Sequence, residues 1–527
     1  MWRKGWREQI WSDLNQPWDL IIIGGGITGA GVLRLAVASG LKALLVEAND
    51  FSSGTSSRSS KLIHGGLRYI LNKQYKVTQE SVREREWILR EAPHLVDKLG
   101  FLFPIFERYH VETRKIGMII AIYDLLAPKW DNQACSRDKL LKACPFLNEN
   151  GLIAGYRYYD AVMDDCRVLL RVIREAVGAG STALNYAKAE KLLRDNSGQV
   201  CGIVLKDVAS SGGKSAEVKA RVVVNASGAW SDEVRRELGQ PAKLRRLRGS
   251  HLIFPYDKLP MKQAVTLLHP RDGRAMFVIP WEGTSIVGTT DIDHDPALDK
   301  THTEPFASQE EIGYMLSAAA VLFPGLNLTD SDIVSSFSGL RPIIRTGADS
   351  PGKESRAHAL FEEDGLITIT GGKYTTFRIM SRQTVNAVLS RLGKPAVRRQ
   401  RIFNRLPDIS SSGMDPSTLG YLAGRHGDET IDLIATAMKG ELEHIDRLPN
   451  VWAELRWAAR EEGVVHLADL LLRRVRIGML LPNGAKDILE RIRSIVQPEL
   501  GWSDERWRQE AAAYLDTWKR YYSPNPG

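Results

Sequence analysis

The sequence predicts a mixed α/β fold followed by an all-α region. Three observations predict it: a glycine-rich turn set between two short apolar runs near the start, β-branched runs alternating with helical patterns up to about residue 392, and the end of β-type runs beyond about residue 410. The first run, Leu20 to Ile23, enters the turn, a helical pattern continues through Ala38, and a second run, Ala43 to Val46, is closed by Glu47. That is one βαβ unit. Further β-type runs at 222–225, 285–288 and 366–370 are separated by helical patterns at 164–179 and 375–392. The segment 391–405 carries six basic residues, no acid and one proline, and precedes Ser410, Ser411, Ser412 and Gly413, so a boundary is expected there. Helical patterns then fall at 451–462, 464–476, 485–496 and 504–518, the last with Ser503 as N-cap and two acids in its first turn.

Composition narrows the function classes. The chain has 527 residues, 43% hydrophobic and 25% charged, which excludes a disordered chain, a collagen-like repeat and a coiled-coil rod. Four cysteines without a CxxC pair make neither a disulfide framework nor a structural metal site, so a reducing compartment, the cytoplasm, and no bound metal are expected. No uninterrupted apolar run is long enough to span a bilayer; the nearest, 116–127, contains Asp124. The first 18 residues scatter charges through their apolar positions, unlike a secretory signal. A net charge of +8 does not require nucleic acid and leaves an anionic lipid or an anionic small substrate open.

Gly24, Gly26 and Gly29 form a GxGxxG turn directly after a strand and before a helix. The first glycine permits the tight turn, the second lets backbone approach a pyrophosphate, and the third lets the helix pack on the strand. Helix N–H groups, Thr28 among them, and the helix dipole then attract the phosphates. Glu47, 18 residues past Gly29, stands where a carboxylate accepts hydrogen bonds from a ribose diol. The motif alone does not separate NAD from FAD. The segment from Gly54 to Gly66 favours FAD, since its hydroxyls (Thr55, Ser56, Ser60), Lys61, Leu62, His64 and two glycines (Gly65, Gly66) suit a long cofactor lying along the protein.

From these residues the sequence closely resembles the FAD-dependent glycerol-3-phosphate dehydrogenases, a membrane-associated respiratory family. The stretches DLIIIGGGITGAG and TSSRSSKLIHGGLRY carry the resemblance, and NASGAW, RGSH, GTTD, FSGLRP, GGKYTTFR and DLLLRRVR extend it nearly end to end. It implies a glutathione-reductase-like FAD-binding Rossmann fold over 19–95, 150–245 and 335–392. An interleaved antiparallel-sheet substrate domain is implied over 96–149 and 246–334, and an all-α domain over 410–527. Residues 1–18 form an amphipathic segment. To the cofactor residues already named the resemblance adds Ala187, Gly228, Gly371, Gly372 and Thr375. For the phosphate of glycerol 3-phosphate it implies Arg68, Tyr69, Arg341, Arg356 and Lys373. It implies hydride transfer from C2 to the flavin, with His251 as base and Arg341 polarising the alkoxide, while His64 competes for the base role or lies against the flavin. The sequence departs from the family at Arg356, Ala357 and His358, where an acid is expected after the arginine, and in the length preceding its first strand.

The resemblance further implies a quinone as electron acceptor and a peripheral site on the inner face of the cytoplasmic membrane, with a homodimer left open. Trp2, Trp6, Ile10 and Leu14 recur every four residues among basic side chains. That pattern fits a helix packed on protein or one lying on lipid, and the implied quinone favours lipid. An oxygen-using glycerol-3-phosphate oxidase and an inactive flavoprotein scaffold are the competing readings.

Overall fold

The structure, a computed structural model, describes residues 2–67, 70, 74–107, 113–126, 131–210, 212–347, 354, 356–398, 400–408 and 413–524, with the side chains of 113–115 left aside. Two sheets organise them. In the first, Trp18–Ile23 lies between Ala43–Val46 and Ser215–Asn225, parallel to both, and the layer extends through Leu366–Gly371 on one side and Thr182–Leu184 on the other. These strands are apolar on both faces because both are covered, one by helices and the other by the strands Ala187–Arg194 and Val200–Asp207 with Trp11 and Leu14. Ile27–Ala38, Asp165–Gly178 and Phe377–Arg391 pack on the first of these faces, with Val32, Leu33, Val168, Leu169 and Val385 in one buried core.

The second sheet is largely antiparallel and runs Ile292–Asp293, Leu244–Pro255, Thr284–Gly288, Ala275–Trp281, Ala264–Leu268, Val96–Phe106, Leu152–Met163, Leu62–Ile63. Ser335–Ile344 pairs along the other edge of Leu244–Pro255. Three strands therefore fall on the opposite side of the expected boundaries. Leu62–Ile63, Leu152–Met163 and Ser335–Ile344, assigned from sequence to the Rossmann layer, belong to the antiparallel sheet, because each pairs with a strand of that sheet.

The C-terminal region is helical from Pro416 onward. Asp504–Tyr521 starts where expected, with the Ser503 side chain accepting from the Arg506 N–H. The pattern at 464–476 does not make one continuous helix. It breaks into Leu467–Asp469, a π-helical turn Leu470–Arg474 and Arg476 at φ 67°. The break turns Arg473, Arg474 and Arg476 inward. Both oxygens of the fully buried Asp50 accept from Arg474, at 2.6 and 2.7 Å, and one also accepts from Arg473. Arg476 reaches Asp165 at 2.9 Å, the same carboxylate that holds Lys61, while Arg425 reaches Asp164. Arg425, Arg473, Arg474 and Arg476 thus tie this helical region to the Rossmann layer.

The N-terminal segment also differs from expectation. Trp2, Trp11, Leu14 and Trp18 are buried, Trp2 stacks on Phe51 at 5.3 Å, and Arg7 and Arg3 pair with Asp207 and Glu461. Its apolar stripe closes the protein's own core, which corrects the lipid-facing reading. The basic run after residue 391 is likewise anchored, with Ile402 and Phe403 buried and Arg391 paired with Glu362. Among the described residues no helix is long and apolar enough to cross a membrane.

Burial alone pushes the Asp50 carboxyl up, but Arg474 and Arg473 outweigh it and hold it down at about 2. Its stabilising effect is therefore complete above the ordinary carboxylate pKa and is lost as pH falls from there towards 2. Asp50→Ala leaves the Arg474 guanidinium buried without its carboxylate, and Arg473 with Asp469 alone, an arrangement that costs about 3–5 kcal/mol. Denaturant unfolding should register that loss, and limited proteolysis should cut the C-terminal helices first; unchanged resistance contradicts the clamp.

Candidate functional site

A cavity of about 1800 Å3 runs between the two sheets and under the C-terminal helices. Ordinary ligand sites occupy about 300–1,000 Å3, so this one has room for a long cofactor and a substrate together. One wall is the loop from Gly24 to Thr28. Gly24 has φ 114°, and a Cβ there would stand 2.6 Å from the Ala226 carbonyl oxygen; a Cβ on Gly29 would stand 2.0 Å from the Gly24 oxygen. Both glycines are forced by packing, and Gly29 lies behind the cavity wall. The helix Ile27–Ala38 opens at Gly26 with no side-chain cap, so its N-terminus faces the cavity. Glu47 is anchored at the edge, accepting from the Gly25 and Asn49 N–H groups at 2.7 and 2.9 Å, while burial pushes its carboxyl up.

Of the other expected cofactor residues, Thr55, Ser56, Ser60, Leu62, His64 and Gly66 line the cavity, as do Gly228, Gly371, Gly372 and Thr375. Ser56 accepts from the Ile27 N–H, fixing this segment against the glycine turn. Three expected residues do not line it. Lys61 is fully buried on Asp165 and the Ser57 carbonyl, where burial lowers its ammonium to about 8. Gly65 donates to Tyr123 and Asp160, and Ala187 donates to the Glu47 carbonyl. These three support the wall from behind.

The inner end is cationic. Asp291 accepts from Arg341 at 3.0 Å and from Arg356 at 3.1 Å, and Arg274 pairs with it at 3.1 Å; all four line the cavity. Lys373 lines it too and donates to Ser81; burial lowers its ammonium to about 7. One carboxylate thus faces three guanidiniums, while Lys373 feels Asp160 and Glu80 on one side and Arg356 on the other. At an effective dielectric constant of about 20, like charges about 5 Å apart repel by about 3 kcal/mol, a cost that an arriving anion removes. Arg68 and Tyr69 lie outside the described residues.

His251 is not at the cavity surface, which corrects its expected position. It is 1% exposed, stacked on Phe337 at 4.6 Å, and hydrogen-bonded through Nε2 to Ser60 Oγ at 2.7 Å. Burial, then Arg341 and Lys61, hold its imidazole well below the usual range. His64 does line the cavity, and burial lowers it to about 4, so it is a neutral imidazole at physiological pH. Sequence reasoning gave no role to Asp291, although it closes the GTTD motif, and missed Arg274, whose DGR turn looks like any exposed hairpin. It also missed Asp160, a buried acid in the strand Leu152–Met163, which lines the cavity and is held by Arg85 and Tyr123.

A strand, a glycine turn and a helix N-terminus facing a cavity, with a carboxylate at its edge, define a dinucleotide-binding oxidoreductase. Residues 19–378 match the family model described as FAD dependent oxidoreductase, and 367–507 match the C-terminal domain of alpha-glycerophosphate oxidase. Glycerol-3-phosphate dehydrogenase 2 of Mycobacterium tuberculosis H37Rv is 35% identical over 97% of this chain and 89% of its own length. The aerobic glycerol-3-phosphate dehydrogenase of Staphylococcus saprophyticus is 34% identical over 89% and 88%. The crystal structure of the Bacillus halodurans glycerol-3-phosphate dehydrogenase complexed with FAD superposes with a TM-score of 0.79 at 29% identity, covering 100% of this chain and 99% of that one. The chain belongs to the FAD-dependent glycerol-3-phosphate dehydrogenase family, and FAD is its cofactor.

Lys373 greets an anion as an ammonium only below about pH 7. Sulfate, whose charge is constant between pH 6 and 8, is expected to bind about tenfold more weakly at pH 8 than at pH 6, the ratio set by a group titrating near 7. Calorimetric titration measures it, and Lys373→Met should flatten the slope; an equal slope in the variant removes Lys373 from the anion site.

Proposed function

We propose that this chain oxidises sn-glycerol 3-phosphate to dihydroxyacetone phosphate. The observation that carries this reading is the cationic end of the cavity, where Arg341, Arg356 and Lys373 stand ready for a phosphate dianion, in the same cavity as the dinucleotide loop. Charge-assisted hydrogen bonds contribute about 1.5–3 kcal/mol each, so such a set selects a phosphorylated polyol over a neutral one. When bound, FAD supplies the hydride acceptor. Gly24, Gly26, Thr28 and Glu47 would hold its phosphates and ribose, and the Thr55 to Gly66 segment its ring system. In this reading His64 replaces His251 as the base for the C2 hydroxyl proton, because it is neutral and lines the cavity. Arg341 draws charge from the developing alkoxide.

We further propose that the electrons pass to a quinone at a membrane surface. The helix Thr113–Leu126 supports this: Met118 and Leu125 are 59% and 75% exposed, while Ile116, Ile119 and Ile120 line the cavity. One apolar helix thus joins solvent-facing hydrocarbon to the cavity wall.

Anaerobic glycerol 3-phosphate should bleach the yellow holoenzyme. His64→Ala should slow that bleaching at saturating substrate by about 10²–10⁴-fold, the usual weight of a general base, with the flavin retained. His251→Ala should slow it less; the reverse order restores the first candidate. For the membrane, Met118→Glu with Leu125→Glu should abolish co-flotation with anionic phospholipid vesicles without changing solution turnover on a soluble dye. Equal flotation of variant and wild type excludes this helix as the contact.

A further inference from the structure

The inner end of the cavity holds one more cation than the phosphate set implied by the sequence. Arg274 is the last residue of the turn that joins Ala264–Leu268 to Ala275–Trp281. A hairpin arginine with water beside it has every reason to point outward, yet this one turns in. Its Nε donates to the Thr289 carbonyl at 3.2 Å and its Nη2 pairs with Asp291 Oδ2 at 3.1 Å, the oxygen that Arg356 also uses. The turn is built to hold it there. Asp272 accepts from the Arg274 N–H and from the Tyr314 hydroxyl, and His269 lies flat on the Tyr314 ring at 3.6 Å. Tyr314 belongs to the helix Gln309–Leu322, so the turn is braced from behind by a rigid element.

Crowding a third guanidinium onto a carboxylate that already serves two runs against like-charge repulsion, and nothing in the fold of the hairpin requires it. Each of the three reaches Asp291 through one terminal nitrogen, not through a two-pronged pairing. Among the described residues Asp291 is the carboxylate on which all three guanidiniums converge, and an arriving phosphate offers each of them a second anionic partner. Resting on the glycerol 3-phosphate reading above, we propose that Arg274 is a third arginine of the substrate-phosphate site, with Asp291 as the positioning carboxylate that holds all three until phosphate arrives. Arg274 then determines specificity for the doubly charged substrate, and a site with Arg341 and Arg356 alone discriminates less.

The test uses purified holoenzyme, with Arg274→Met compared with wild type. KM for glycerol 3-phosphate should rise at least tenfold with kcat within threefold, flavin content unchanged, and the inhibition constant of inorganic phosphate raised in parallel. A purely structural role for Arg274 predicts a fall in kcat or in flavin content with the phosphate inhibition constant unmoved, and that result overturns the proposal. So do KM and inhibition constant both within twofold of wild type. Should Arg274→Met lose its flavin, Arg274→Lys decides: a KM rise of threefold or more with flavin retained supports the proposal, and an unchanged KM overturns it. If wild type is not reduced by glycerol 3-phosphate at all, the substrate reading falls. Arg274 is then judged by phosphate titrated against the flavin spectrum, where weaker binding in the variant supports it and equal binding does not.

Discussion

Asp50 joins the parts of this molecule. It lies three residues after Glu47, on the same loop, and both of its oxygens are taken by arginines more than 400 residues away. The carboxylate expected to meet the cofactor ribose and the carboxylate that docks the C-terminal helices are therefore held by one short stretch of backbone. Asp164 and Asp165 repeat the device at the start of the helix Asp165–Gly178, where Arg425 and Arg476 arrive from the C-terminal region and Lys61 from the flavin segment. Taking so many charges out of water is costly, and hydrophobic side chains of the same volume would be no less stable. What charged pairs add is a fixed geometry: the π-helical turn Leu470–Arg474 and the left-handed Arg476 are satisfied by one docking position.

That arrangement separates two uses of positive charge which the sequence presents as one excess of +8. Arginines facing a carboxylate of their own, such as Arg474 on Asp50 and Arg167 on Glu462, are spent on structure. Arg274, Arg341 and Arg356 instead converge on one acid, Asp291, at the wall of the cavity. The difference lies in how the carboxylates are shared, not in the arginines themselves.

Legibility from sequence followed the range of each constraint. Gly24, Gly26, Gly29 and Glu47 were readable because the turn that needs them is complete within about thirty residues, and so was the FAD segment. The buried setting of His251 was not legible because it is set by strand pairing: it stands opposite Phe337 on one side and Gly288 on the other, behind Ser60. The tryptophans at the start were misjudged for a related reason. A period of four gives the same stripe whether lipid or protein covers it, and here the cover is Phe51 and the chain around Gly463. Arg274 gave no signal at all, since only the contact with Asp291 distinguishes it from a solvated turn residue.

The convergence of three guanidiniums on Asp291 has an energetic consequence for selectivity. Without an anion, the guanidiniums around Asp291 repel one another, and burial drives Lys373 towards its neutral form. A dianion relieves both at once, by pairing with the guanidiniums and by drawing a proton onto the lysine. Glycerol, which has the same hydroxyls and no charge, relieves neither and must displace water from groups it cannot satisfy. Discrimination between the two thus comes as much from strain held in the empty cluster as from the contacts made to phosphate. The acid at its centre is what permits that strain: with Asp291 between them the cations stay close enough to act together on one anion.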